Sequence, residues 1–146
     1  IGDSPMHKIL TGLAWVLATT TAPAWAAPDA SEQTLYDSFI IAAGASNGAA
    51  RACGASDPDL AQHRATAQKN LTQYAKEYGF SMASYEALFQ EGLTEGKTMM
   101  DDMKRSGVDG CQGVLGSFQH ERAISYEGMK KALAEVSDGL PGEKAK

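Results

Sequence analysis

Residues 81–106 read SMASYEALFQEGLTEGKTMMDDMKRS, and their pattern constrains the chain more than any other stretch. Met82, Tyr85, Leu88, Phe89, Gly92, Leu93, Gly96, Met99, Met100 and Met103 recur at steps of three and four, which places them on one side of an α-helix. Glu86, Gln90, Glu91, Glu95, Lys97, Asp101, Asp102 and Lys104 fall on the other side. The pattern predicts a long helix, buried along one stripe and wet along the other.

The flanking segments are also helical in pattern. Ser31 is the expected cap of a first helix reaching Cys53, with Leu35, Phe39, Ala42, Ala43, Ser46, Ala49 and Ala50 on its stripe. From Ala42 onward nearly every residue is small, and Gly44 and Gly48 lie four apart. Each glycine lowers intrinsic helicity by up to about 1 kcal/mol relative to alanine, but together they let a neighbouring backbone approach closely. A tightly crossed helix pair is expected, on a surface that would equally suit a partner's helix. Gly54 is a stop, and Asp57-Pro58 reads as a cap followed by the first helical position. The second helix is expected over 58–78, with Leu60, Arg64, Ala67, Leu71, Tyr74, Ala75 and Tyr78 on its stripe. His63 falls on its flank, and Gly79 ends it. Asp109 with Gln112 three residues on reads as a capping-box variant, starting a fourth helix at Cys111. Tyr126, Met129, Ala132, Leu133 and Val136 make a last amphipathic segment. The fold class expected is all-α: a compact bundle of four or five helices over 27–138, with a tail over 139–146 expected to fray.

The N-terminal segment sets the compartment. Ile1 to Pro5 read as a non-native remnant ahead of a natural initiator, Met6. Residues 6–26 read as a secretory signal: His7 and Lys8, an apolar run over 9–18, a polar stretch with Pro23, and the small-x-small site Ala24-Trp25-Ala26. The apolar run is well short of the ~20 residues that span a bilayer. A periplasmic or secreted protein is expected, with no membrane segment once the signal is removed. In that compartment the only two cysteines, Cys53 and Cys111, are expected to form a disulfide.

Little in the chain points to catalysis. Two histidines follow the signal, His63 and His120, and no His-Glu-x-x-His or Cys-x-x-Cys pattern is present. Asp101 and Asp102 are adjacent in a helix and so point in different directions. The net charge of −5 is spread without a basic stripe, which argues against nucleic acid. Met99, Met100 and Met103, with His120 arriving in space, offer soft ligands for Cu(I). Methionines at helical spacing also serve as core filler. No cofactor is expected.

The residues Tyr74-Ala-Lys-Glu-Tyr-Gly79, then Tyr85-Glu-Ala-Leu-Phe-Gln-Glu-Gly92 and a later Gly110-Cys111, carry a resemblance. With them the chain resembles the small periplasmic immunity proteins of type VI secretion amidase effectors. That resemblance implies a helical, exported, disulfide-containing and often dimeric protein that plugs the active site of a cell-wall amidase. The reading is therefore a non-enzymatic module that binds another protein, as an inhibitor or immunity factor, with a homodimer as an option. The expected recognition segments are the helix-connecting loops, at Gly79, Phe80 and Ser81 and at Ser106, Gly107 and Asp109. Two alternatives stand beside it. One is a periplasmic copper-binding protein using Met99, Met100, Met103 and His120. The other is an apolar-ligand carrier or chaperone in which the stripe of residues 81–106 lines a cavity.

Overall fold

Glycines four apart on two helices decide how this chain packs. The structure, a computed structural model, describes residues 27–136. The leader, signal and tail readings at 1–5, 6–26 and 139–146 lie outside the described residues. Five helices and no strand are found among the described residues: α1 Ala30–Ala52, α2 Asp57–Tyr78, α3 Tyr85–Arg105, α4 Cys111–Glu121 and α5 Tyr126–Val136. Gly44 and Gly48 of α1 lie against the backbone of Phe89 and Leu93, while Gly92 and Gly96 of α3 lie against the backbone of Ile41 and Ala45. A Cβ on any of the four would collide with a carbonyl oxygen of the other helix. The close-approach surface expected from Gly44 and Gly48 thus finds its partner helix inside the same chain.

Residue numbers rise together along this seam, so α1 and α3 are parallel. A parallel pair needs a return path, and α2 supplies it. At the starting end of the pair, the Ser81 N–H donates to Gln33 Oε1 at 2.9 Å, and the Gln33 amide donates to the Ser81 carbonyl. At the other end the disulfide joins Cys53 to Cys111, with their Cα atoms 5.4 Å apart. The residues after α4 then run beside α2: Thr66 Oγ1 donates to the Arg122 carbonyl at 2.8 Å, and Asn70 Nδ2 donates to the Ile124 carbonyl at 3.0 Å.

The main core gathers Tyr36, Ile40, Leu71, Tyr74, Phe80, Tyr85, Phe89 and Met129. The Tyr36 and Phe80 rings stack with centroids 4.7 Å apart. The buried Tyr36 hydroxyl donates to the Leu71 carbonyl at 2.9 Å, which satisfies a polar group that would otherwise be costly to bury. A smaller cluster of Ala50, Leu60 and Phe118 lies nearer the disulfide. Arg64 lies at the margin of its stripe as expected, with its guanidinium 4.8 Å from the Phe89 ring centroid and bonded to Glu86.

Three helix starts differ from the sequence expectation. Asp29, not Ser31, caps α1: its carboxylate accepts the Glu32 N–H at 2.8 Å and the Ser31 hydroxyl at 2.9 Å. Ser56, not Asp57, caps α2, which leaves Asp57 and Pro58 in its first turn. Helix α3 begins at Tyr85 rather than Ser81. The backbone of Ser81 is held by Gln33, and its hydroxyl accepts the Ala83 N–H at 3.2 Å, so residues 81–84 turn before the helix starts.

Three outcomes test this architecture. Gly48→Ala should lower unfolding free energy by at least about 2 kcal/mol through backbone collision. Gly113→Ala on α4, where a Cβ meets nothing within 4 Å, should be neutral or stabilising by up to about 1 kcal/mol. Replacing both cysteines by serine should cost up to about 4 kcal/mol, the chain-entropy value for a loop of this size. Urea denaturation of the purified variants reads all three.

Candidate functional site

The end of the bundle closed by the disulfide carries a loop of fixed backbone. Gly107 has φ of +75°, in the left-handed region, and ends α3. The Val108 N–H bonds back to the Met103 carbonyl at 2.9 Å and the Gly107 N–H to the Lys104 carbonyl at 3.1 Å, which is the Schellman arrangement. Asp109 accepts the Cys111 N–H at 3.1 Å, one residue short of the cap position expected for it, and the disulfide follows at once. Every step of the connection is therefore tied down. Above it, Met99 and Val108 are each 51% exposed and share a shallow recess with Met103. Glu95 and Asp102 line the same recess, and Asp102 pairs with Arg105.

The expected recognition residues divide between two places. Ser106, Gly107 and Asp109 are exposed at the disulfide end. Gly79 and Ser81 are exposed at the opposite end, because they precede α3 while Ser106, Gly107 and Asp109 follow it. The 21 residues of α3 separate the two loops by about 30 Å. Phe80 does not belong to an exposed loop: it is buried, packed with the rings of Tyr36 and Tyr74.

Met100 and Met103 both bring their Cε atoms against Gly110, and Met99 shares the shallow recess with Met103. Met100 is buried, Met103 is half-buried beneath Gly110, and Met99 is exposed. His120 is exposed near the far end of α4, in a separate recess with Lys131 and Glu135. His120 is thus placed apart from the three methionines. Of the α3 stripe, Tyr85, Phe89 and Met100 are packed in the interior, while Met99 and Met103 border the shallow recess.

Sequence reasoning missed a buried polar node. His63, expected on the flank of α2, is 2% exposed. Asn47 Nδ2 donates to the Leu60 carbonyl and faces His63 Nδ1, each at 3.1 Å. Because Asn47 Nδ2 is a donor, His63 Nδ1 is the acceptor, and the ring proton sits on Nε2. Nε2 donates to Glu121 Oε2 at 3.1 Å, and the Ser46 hydroxyl donates to the same oxygen at 2.6 Å. The node ties α1, α2 and α4 together. Burial pushes the Glu121 carboxyl up, but the hydrogen bonds from His63 and Ser46 bring it below its usual value. Ser46 faces the carboxylate and not the imidazole, so the trio is no Ser-His-acid relay. It holds an ionised carboxylate in place. Asn47 was the available signal: it lies on the same helical face as Ala43 and Ala50, where a polar side chain needs a partner.

Glu121 and His63 also border an apolar recess of about 370 Å³ between α1, α2 and α5. Comparison with protein families, with curated proteins and with solved structures finds no match to this chain.

The depressed Glu121 carboxyl has a consequence for acid stability. Its contribution is complete above the unfolded carboxylate range and is lost as pH falls through its lower folded value. Wild-type protein should therefore lose more stability between about pH 6 and pH 3 than Glu121→Gln does. Denaturant midpoints measured across that range give the comparison.

Proposed function

We propose that this is an exported binding protein that engages another protein through its disulfide-closed end. The observation that carries the reading is the pair of half-exposed apolar side chains, Met99 and Val108, on a backbone already fixed by the Schellman turn, Asp109 and the disulfide. Loops held by a rigid scaffold are where binding residues concentrate. A surface that is ordered before contact also loses less entropy on association. Glu95 and Asp102 beside the apolar pair favour a partner with a basic rim around an apolar centre. The signal-like segment at 6–26 supports export, and a disulfide is compatible with an oxidising compartment. No described helix is long and apolar enough to cross a membrane. The resemblance to amidase immunity proteins supports an inhibitor as the kind of binder, and a cell-wall amidase as the kind of target.

The test is affinity capture from periplasmic extract, using the full chain with its disulfide intact. Met99→Glu and Val108→Asp should each release the captured protein while leaving the melting temperature within a few degrees of wild type. Ser81→Arg, at the opposite end, should keep it. Retention of the partner by both patch variants would sink the proposal.

A further inference from the structure

The recess between α1, α2 and α5 exists because facing helices present alanine there: Ala42 and Ala43 on α1, Ala67 on α2 and Ala132 on α5. At about 370 Å³ it lies toward the lower end of small-ligand clefts, which run from roughly 300 to 1,000 Å³. Its lining is apolar apart from His63, Asn70 and Glu121. Asn70 is already engaged through Nδ2 with the Ile124 carbonyl, and His63 is spanned by Asn47 and Glu121. Among the described residues, Glu121 is the single carboxylate of the lining, and no lysine or arginine borders the recess. Of the neighbouring cations, Arg122 is turned toward α2, bonded to Asp59 and Gln62, and His120 lies in a different recess. His63 and Ser46 both bond Oε2 of Glu121, and Oε1 accepts no bond from the described residues. A carboxylate so held, at the edge of a low-dielectric cleft, attracts a cation more strongly than one in open water.

We propose that this recess is a binding site for a small amphiphilic amine, its hydrocarbon part against the alanine walls and its ammonium group on Glu121. The site is independent of the protein-binding surface at Met99 and Val108. The amine's N–H donates to the carboxylate, and its alkyl chain replaces water along α1 and α5.

The test is calorimetric titration of the full, disulfide-bonded chain with n-octylammonium chloride at neutral pH, with octanoate and octanol as comparisons. Octylammonium should bind saturably at one site. Octanoate should bind at least about tenfold more weakly, the scale of one charge-assisted hydrogen bond. Glu121→Gln keeps an oxygen for His63 and Ser46 and should lower octylammonium affinity to that of octanol. Ala42→Trp at the mouth of the recess should weaken all three. In wild-type protein, octylammonium should shift the Met129 methyl resonance, a readout that needs no variant. Equal affinity for octanoate, unchanged affinity in Glu121→Gln, or an unmoved Met129 methyl would overturn the proposal. So would binding that appears only after deletion of residues 137–146, because the recess would then belong to the chain's own tail.

Discussion

Backbone-to-backbone contact between α1 and α3 is the constraint from which the remaining arrangement follows. At Gly44, Gly48, Gly92 and Gly96 the two helices come close enough for Cα–H groups to face carbonyl oxygens of the partner helix. Such contacts are weak, about 0.5–1 kcal/mol each, and they repeat along the seam. Their larger effect is geometric. Neither helix has a side chain to interpose, so the axes approach and Leu88, Phe89 and Leu93 pack around the margins. A parallel seam forces α2 to run the return journey. It also brings the ends of α1 and α3 to one place, where Cys111 follows closely enough to reach Cys53.

Much of this was legible in the residues. The stripe of α3, the pairing of the two cysteines and the close approach at Gly44 and Gly48 all follow from spacing and composition. What spacing did not contain was direction. Helix periodicity is the same for parallel and antiparallel neighbours, and so it could not say which end of α1 each of the loops at Gly79–Ser81 and Ser106–Asp109 would adjoin. Phe80 shows a related limit. It follows a terminating glycine, which marks a loop, yet the chain folds it back against two tyrosines. The caps moved because Asp29, Ser31, Ser56 and Asp57 are all competent cap residues, and only tertiary context chooses among them.

His63 and Glu121 were the least legible. Each lies on a helix whose own apolar stripe leaves it at the side, and each is drawn inward by a partner from another helix. The signal is distributed over Ser46, Asn47, His63 and Glu121, which are far apart in the chain and mean little singly. A buried network of this kind specifies one arrangement of three helices, because any other leaves polar groups unpaired. The alanines beside it leave room that larger side chains would have filled.

The glycine seam also has a mechanical character. Along each helix the permitted contact points recur every four residues, and the positions between carry Cβ atoms that would meet backbone. Sliding α3 along α1 by one or two residues would set Ala45 or Leu93 against a carbonyl oxygen. The next register that restores a glycine at the seam lies a full step of about 6 Å away. The pair therefore behaves as a detent rather than a greased surface: axial load meets hard backbone repulsion at once, before any side-chain packing yields.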